Sequence, residues 1–309
     1  MRRPAVPVVL LLACLGGAAC RDGGASVLPS TTVPPVTAPP VTVPAAPAPV
    51  APPAELLAAG DIAVCGLQGD EATADVVAAH PGAAVAAVGD LVYTQGTAAE
   101  FRDCYDPTWG RFKDRTHPAP GNHDYGTGQA DGYFGYWGAA AGPAGKGWYS
   151  YEVGSWHVVA LNSNCGIVGC GPESEQGRWL AADLAAHAGA ACSLAYWHHP
   201  RWSSGPHGSS TVVDPLWKAA VAGRVDVVLS GHDHDYERFG LIDGIRSFVV
   251  GTGGASRYGF GPNVAPGSEV RESGPLGVLG LTLRAGSYDW RFLSAAGGAF
   301  ADSGTGTCH

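Results

Sequence analysis

The stretch Gly89-Asp90-Leu91-Val92-Tyr93 follows directly after an apolar run at residues 84–88. A short run that is apolar almost throughout is typical of a strand covered on both faces. Similar runs occupy residues 56–59, 158–161, 194–197 and 225–229. Helical spacing of apolar residues predicts helices over 70–79 and 174–187. Two further runs, 149–153 and 156–161, are joined at Gly154-Ser155 and predict a hairpin, and 278–292 predicts more strands. These patterns indicate an α/β domain.

Polar side chains follow four of these runs at the point where each predicted strand ends. They are Asp61, Asp90, His198 and His232. The carboxyl ends of strands form the ligand crevice of open α/β sheets. We therefore expect these four side chains to converge in space.

The residue types at this edge are those that bind metal ions. A pair of metals requires a bridging carboxylate and terminal ligands on each side, and Asp90 is the predicted bridge. The predicted terminal ligands are Asp61, Tyr93 and His234 for one ion, and Asn122, His198 and His232 for the other. An extended Gly231-His232-Asp233-His234 turn would place both histidines on one side. The glycines before Asp61, Asp90, Asn122 and His232 permit tight turns near the ions.

Five motifs in this order resemble those of the calcineurin-like metallophosphoesterase superfamily, and more narrowly the purple acid phosphatases. They are Gly60-Asp61, Gly89-Asp90-Leu91-Val92-Tyr93, Gly121-Asn122-His123-Asp124, His198-His199-Pro200 and Gly231-His232-Asp233-His234-Asp235-Tyr236-Glu237-Arg238. The resemblance extends from about residue 56 to the end of the chain. It implies an α/β fold of the metallophosphoesterase type, a four-layer α/β/β/α sandwich in which two packed mixed β-sheets are flanked by helices.

Two positions favour the narrower resemblance. Many members of the superfamily carry a histidine two residues after the first aspartate, where this chain has Ala63. Purple acid phosphatases place a tyrosinate ligand at the position of Tyr93. The resemblance therefore implies Fe(III) with a divalent ion, either Fe, Zn or Mn. The alternative is that Tyr93 is only an aromatic residue at a strand end.

The resemblance also implies an activity, the hydrolysis of phosphate monoesters by attack of a metal-bound hydroxide. His123 would bind a phosphoryl oxygen or help to protonate the leaving group. His207 matches a proton donor of the mammalian-type enzymes, although it could instead be an ordinary loop residue. A phosphodiesterase, a nucleotide or pyrophosphate hydrolase, and a non-catalytic surface protein that binds metal or phosphate are alternative functions.

Three neighbours of the predicted ligands have supporting roles. Asp124 is expected to orient a histidine or to close its turn by a hydrogen bond. His199 is expected beside the ligands or at the rim of the pocket, and Trp202 at that rim. His157 and His187 have no partner motif and are interpreted as structural or exposed.

The first 53 residues have a different composition. Residues 1–20 combine Arg2 and Arg3, a short apolar run and small residues before Cys20, which predicts an export signal of the lipoprotein type. A lipid on Cys20 would anchor the protein to the outer face of a bacterial cytoplasmic membrane. Plain cleavage near Ala19, which would give a secreted protein, is the alternative. Residues 21–53, rich in Pro, Thr and Ala, predict a tether, and residues 54–309 the catalytic domain.

Six cysteines lie outside the predicted signal, and an even number in an exported chain suggests disulfides. Cys165 and Cys170 are close enough in sequence to close a small loop. We favour Cys65 with Cys104 and Cys192 with Cys308, although sequence alone leaves other connectivities open.

The formal net charge of −9 bears on the partners. An acidic domain does not attract nucleic acid through its general field, so we expect no nucleic-acid binding. A small phosphorylated substrate would depend on bound cations for local positive charge. The expected membrane contact is the lipid on Cys20 alone, and the oligomeric state stays open.

Overall fold

The computed structural model describes residues 52–309. The predicted export signal and the predicted tether up to residue 51 lie outside the described residues. The strands are β1 (Ala54–Ala59), β2 (Ala63–Val64), β3 (Ala84–Val88), β4 (Val92–Tyr93), β5 (Thr116–Ala119), β6 (Tyr149–Val153), β7 (Trp156–Ala160), β8 (Cys192–Tyr196), β9 (Val227–Ser230), β10 (Tyr236–Ile242), β11 (Ile245–Val250), β12 (Ser268–Glu272), β13 (Gly277–Arg284), β14 (Ser287–Ser294) and β15 (Ser303–Thr307).

Six α-helices lie between these strands. They are α1 (Gly69–Ala78), α2 (Ala98–Glu100), α3 (Asp131–Trp137), α4 (Cys165–Val168), α5 (Glu175–Ala186) and α6 (Asp214–Ala222). A π-helical turn follows α2, and 3₁₀ turns occur at Trp109–Arg115, Gly138–Ala141, Thr211–Val213 and Ala295–Gly297. Helix α5 begins where sequence analysis expects, because the Ser174 side chain accepts the backbone N–H of Gly177 and so caps its first turn.

Thirteen of the strands form two large mixed sheets. The first sheet has the order β15-β14-β13-β1-β3-β5, and the second has the order β12-β10-β11-β9-β8-β7-β6. Strands β1, β3 and β5 run parallel in the first sheet. Strands β7, β8, β9 and β11 run parallel in the second. Strands β2 and β4 form a separate parallel pair.

Buried side chains fill three spaces and define four layers. Alternate side chains of β1 point into two different spaces. Leu56 packs toward the second sheet, whereas Leu57 packs toward α1. Between the second sheet and its helices, Leu184 of α5 and Leu216 of α6 pack with Val228. The order is therefore helices, sheet, sheet, helices, which confirms the predicted four-layer α/β/β/α sandwich.

The predicted elements agree closely with the observed ones. The predicted strand at 84–88 coincides with β3, and the other four apolar runs lie within about two residues of β1, β7, β8 and β9. The hairpin is β6–β7. Sequence analysis did not find α6 or the antiparallel strands β10 and β12.

Three disulfides confirm the favoured pairing. They join Cys65 to Cys104, Cys165 to Cys170 and Cys192 to Cys308. The third attaches the chain end after β15 to the start of β8. Among residues 52–309, no helix is both long enough and apolar enough to span a bilayer.

Candidate metal centre

The carboxyl ends of five parallel strands bring the predicted ligands together. In the first sheet, Asp61 follows β1, Asp90 follows β3, and the loop that carries Asn122 follows β5. In the second sheet, His198 follows β8 and His232 follows β9. Because the parallel strands of each sheet are adjacent, these ends form one continuous edge. The predicted convergence of the four strand-end residues is confirmed.

Three of these residues have an unusual backbone conformation. Asp61, Asp90 and His232 have φ values of 59°, 50° and 74°. Few non-glycine residues adopt this left-handed region, although Asp and His do so more often than most, and such positions cluster at active sites. The expectation of an extended Gly231-His232-Asp233-His234 turn is therefore wrong at His232. The two histidines still contact different partners, since His232 Nδ1 lies 3.3 Å from His198 Nε2 and His234 Nε2 lies 3.0 Å from the Tyr93 hydroxyl.

The neighbouring glycines let the strand ends approach each other. A Cβ atom at Gly121 would overlap Asp90 Oδ1, and one at Gly231 would lie 2.5 Å from Asp61 Oδ2. A Cβ at Gly60 would lie 2.7 Å from the Val88 carbonyl oxygen. Only Gly89, with a φ of 80°, also has a positive φ among the four glycines. Close approach, more than turn geometry, is what requires glycine here.

The first group of ligand-type side chains surrounds the Tyr93 hydroxyl. This hydroxyl lies 2.7 Å from Asp61 Oδ1, 3.2 Å from Asp90 Oδ2 and 3.0 Å from His234 Nε2. His234 Nε2 is also 3.3 Å from Asp61 Oδ1. Three oxygens and one imidazole nitrogen thus crowd around one point, and they belong to the residues predicted for one ion.

The second group surrounds His198, which is fully buried. His198 Nε2 lies 3.1 Å from Asp90 Oδ2 and 3.3 Å from His232 Nδ1. Asp90 therefore contacts both groups, as a bridging carboxylate must.

Hydrogen bonds on the far side of two rings determine which nitrogen carries a lone pair. His198 Nδ1 donates to the Val88 carbonyl at 3.0 Å, and His234 Nδ1 donates to the Ser256 carbonyl. A carbonyl oxygen can only accept, so Nε2 of each neutral ring presents a lone pair toward a carboxylate oxygen. A nitrogen lone pair and a carboxylate oxygen that face each other repel unless a proton or a cation lies between them. Such anchoring of the second nitrogen is the usual arrangement of metal-binding histidines.

Asn122 supplies an independent sign that a ligand belongs here. Its Oδ1 atom is buried and has no hydrogen-bond partner. An unsatisfied buried amide oxygen is costly, and native structures usually explain one by a bound ion or water. The backbone N–H of the next residue, His123, donates to Asp90 Oδ1 at 2.7 Å. The loop that carries Asn122 is therefore attached to the bridging carboxylate, and its donor set fits a metal ion.

The electrostatics of the protein alone also favour positive charge at this point. Burial by itself would raise the pKa of Asp90, but His198 and His123 outweigh it and hold that pKa well below its ordinary value. Burial opposes protonation of His198, yet Asp90 and Asp61 raise its pKa. Burial raises the pKa of the Tyr93 phenol well above its ordinary value, and both carboxylates raise it further.

The two histidines predicted to act in catalysis lie beside the ligand groups. His123 Nδ1 donates to the Thr94 carbonyl at 2.8 Å, and its ring centre is 4.4 Å from that of Tyr93. His207 is about half exposed, and its ring centre is 4.4 Å from that of His232. Its Nδ1 lies 2.8 Å from Oδ1 of the buried Asp233. These positions are compatible with the predicted roles, which stay predictions.

The three supporting residues differ in their surroundings. Asp124 closes its turn, because the backbone N–H groups of Gly121 and Leu91 donate to its carboxylate at 2.8 Å and 3.2 Å. The ring centre of His199 is 5.1 Å from that of His198. Trp202 packs edge-on against Trp217 and under Arg201, so the rim position of Trp202 stays a prediction.

Sequence analysis missed two residues that contact this group. Asp233 contacts Nδ1 of His207 through its carboxylate. Its position between the predicted ligands His232 and His234 could have indicated it from the sequence. Tyr258 donates to the His232 carbonyl at 2.9 Å and stacks on the His234 ring at 4.5 Å. No motif surrounds Tyr258, so nothing in the sequence indicated it.

Comparison with known families now identifies the chain. The family model described as calcineurin-like phosphoesterase matches residues 56–236. The chain belongs to this family. Its members use a dimetal centre, and the candidate ligand groups described above fit one. No curated protein sequence matches the chain.

Solved structures similar to this one support the fold. They include purple acid phosphatase PPD1 from yellow lupin (Lupinus luteus), with a TM-score of 0.63 and 19% identity over 83% of this chain and 54% of the lupin chain. The chain thus spans about half the length of the lupin protein. GAP50, described as the anchor in the inner membrane complex of Plasmodium, matches with a TM-score of 0.65 and 16% identity, covering 83% and 89% of the two chains. A dimetal phosphatase from Danio rerio matches with a TM-score of 0.56 and 14% identity, covering 83% of this chain and 99% of the Danio rerio chain.

Proposed function

We propose that the protein hydrolyses phosphate monoesters at a binuclear metal centre. The ligands would be Asp61, Asp90, Tyr93, Asn122, His198, His232 and His234. One observation carries the proposal, namely that two groups of ligand-type atoms meet at the single carboxylate of Asp90. Family membership supports a phosphoric ester hydrolase, and the monoester preference is our inference.

Chemistry at this centre divides between the cations and the protein. When bound, paired cations polarise phosphoryl oxygens and lower the pKa of water. The Asp90 carboxylate contacts both ligand groups. Its position is fixed by a hydrogen bond from the backbone N–H of His123. His207 would donate a proton to the leaving oxygen from Nε2, because its Nδ1 is committed to Asp233.

Tyr93 supports a trivalent ion in the first group. Its phenol resists ionisation, because it is buried between two carboxylates. It would ionise only beside a strongly polarising cation, and Fe(III) is more strongly polarising than a divalent ion. We therefore propose Fe(III) in the group with Asp61, Tyr93 and His234, and Fe, Zn or Mn in the other.

Metal analysis, a visible spectrum and turnover test the proposal together on the purified full chain. We expect two metal ions per chain, a tyrosinate-to-iron band, and faster hydrolysis of 4-nitrophenyl phosphate than of bis(4-nitrophenyl) phosphate or pyrophosphate. Faster hydrolysis of the diester or of pyrophosphate would favour the alternative hydrolases. Two bound metals without any turnover would favour a non-catalytic protein that binds metal or phosphate.

We also propose that the protein acts outside the cytoplasm, attached to the membrane through a lipid on Cys20. Three disulfides support an oxidising compartment. Membrane fractionation of cells that express the full chain, compared with its Cys20→Ser variant, tests the anchor. The variant should leave the membrane fraction, and unchanged membrane attachment would contradict the lipid.

A further inference from the structure

A pocket of about 260 Å³ opens beside the metal centre. It lies between the loop that begins at residue 163 and contains the short helix α4, and the 3₁₀ turn near residues 210–212. Its lining includes Ser163, Asn164, Cys165, Ile167, His199 and Val212. None of the functions described so far uses this pocket.

One residue that lines the pocket, His199, lies against the predicted ligands of the second metal. The ring centre of His199 lies 4.6 Å from that of His232 and 5.1 Å from that of His198. Asn164 Nδ2 donates to the Gly121 carbonyl at 3.3 Å, one residue before Asn122. The pocket and the second ligand group therefore share the His199 ring as a common boundary.

The walls of the pocket are held in place by the protein itself. The Cys165–Cys170 disulfide closes the first loop. The Ser163 hydroxyl contacts both the backbone N–H and Nδ1 of His199, at 3.0 Å and 2.8 Å. On the other side, the Ser210 N–H donates to the Pro200 carbonyl at 2.9 Å. A pocket fixed in this way loses little conformational freedom when a ligand binds.

The chemistry of the walls is unusual for the surface of this chain. Of the five large apolar side chains that are exposed among residues 52–309, two line this pocket, Ile167 at 56% and Val212 at 62%. The pocket therefore offers apolar contacts from Ile167 and Val212 beside the polar side chains of Ser163, Asn164 and His199. No lysine or arginine that would pair with a second phosphate is among the described residues that line it.

We propose that this pocket binds the leaving group of the substrate and selects a neutral one with a compact apolar part, such as an aryl or branched alkyl alcohol. The inference rests on the proposed phosphomonoesterase function. It deepens that function by disfavouring pyrophosphate and nucleoside triphosphates, whose leaving groups are charged.

Kinetics of the Ile167→Ser/Val212→Ser double variant test the proposal. Comparing each substrate between variant and wild type cancels its intrinsic reactivity. We expect kcat/KM for phenyl phosphate to fall about tenfold, the scale of losing apolar contacts in a pocket. For methyl phosphate it should change by less than about twofold. Leu241→Ser removes an equally exposed apolar side chain elsewhere and should change neither value. Equal losses on both substrates, or no loss on phenyl phosphate, would overturn the proposal.

Binding of non-hydrolysable analogues separates this proposal from the proposed function. Titration calorimetry should show phenylphosphonate binding about tenfold more tightly than methylphosphonate to the metal-loaded full chain, with this preference lost in the double variant. A preference that the double variant retains overturns the pocket, whatever the activity. If the wild type shows no turnover but prefers phenylphosphonate, and the double variant loses that preference, the pocket is supported and the phosphatase function is refuted.

Discussion

Two regions of the molecule hold a buried histidine against carboxylates, and they differ in where the ring nitrogens point. The first is the metal centre around His198. The second, which we call the His157 cluster, comprises Glu152 and His157 on the β6–β7 hairpin, Asp183 on helix α5, and His187 directly after that helix. In both regions three ligand-type atoms lie within 4.8 Å of one another, those of Asp90, His198 and His232 in the first and of Glu152, His157 and His187 in the second. Proximity alone does not distinguish them.

At His157 each ring nitrogen has its own acidic partner. Nδ1 lies 2.8 Å from Glu152 Oε1, and Nε2 lies 2.7 Å from Asp183 Oδ2. When the ring is protonated, both nitrogens carry a hydrogen, and each donates to its own carboxylate. At His198 one nitrogen is committed to a carbonyl, and the other faces both a carboxylate and a second imidazole. The convergence of several lone pairs on one point, rather than the nearness of acids, is what marks a metal centre.

The largest effect should come from removing the bridge. Asp90→Ala should lose both metals and reduce turnover on the order of 10³-fold or more, since groups that act as a unit fail together. Asp183→Ala, which also removes a partly buried aspartate that contacts a buried histidine, should keep two metals and nearly full activity. Metal analysis and kinetics on both variants make the comparison. If Asp90→Ala kept two metals, the bridging role would be refuted, and loss of a third metal in Asp183→Ala would reveal a metal in the His157 cluster.

A smaller effect is expected from crowding the bridge. A Cβ at Gly121 would overlap Asp90 Oδ1, so Gly121→Ala should displace the carboxylate and reduce kcat about 10²-fold. Gly189→Ala, just beyond the helix of the His157 cluster, adds a Cβ with nothing within 4 Å and should leave kcat unchanged. Equal kcat values in the two variants would show that the position of Asp90 is not constrained by Gly121.

Replacing Tyr93 should change the spectrum more than the rate. Tyr93→Phe should abolish the visible band of the iron-loaded protein and reduce kcat roughly tenfold, because a contact to the first metal is lost. Tyr258→Phe removes a neighbouring hydroxyl that does not contact Asp61 or Asp90 and should retain the band. An unchanged spectrum in Tyr93→Phe would eliminate the iron assignment and leave the two-metal proposal intact.

The smallest effect concerns stability and belongs to the His157 cluster. Burial disfavours the charged ring, but Asp183 and Glu152 outweigh it and raise the pKa of His157. Burial would raise the pKa of Asp183, yet hydrogen bonds from His157 and Ser150 lower it. The stabilisation from His157 is present below its unfolded pKa of about 6.5 and is lost as pH rises through the raised folded value. That from Asp183 is present above about 3.9 and is lost as pH falls through its lowered value.

His157→Gln should therefore lower the free energy of unfolding most at about pH 5–6, by roughly 1–3 kcal/mol, and less at about pH 9. Urea unfolding of the wild type and the variant at several pH values measures the difference. A loss that does not change with pH would mean that the ring contributes packing rather than charge.

Much of the fold could be predicted because its signals are local. The run at 84–88 is apolar throughout and became β3 without a shift, since a strand buried on both faces has no polar alternation to obscure it. Helix α6 and strand β10 were missed. In strand β10 the buried Tyr236 is followed by Glu237, which is charged and also buried. Sequence reasoning does not assign a charged residue to a core strand.

The sequence by itself determined which chemical groups stand at the strand ends and in what order, because motif spacing and strand period are properties of neighbouring residues. Only the tertiary structure decided which lone pairs face one another. The Asp61 carboxylate accepts the N–H of His232 across 171 residues, and no local pattern encodes that distance. The same holds for Tyr258 beside the His234 ring and for the pocket between Ile167 and Val212, whose walls follow β7 and β8 and meet because these two strands are neighbours in the second sheet.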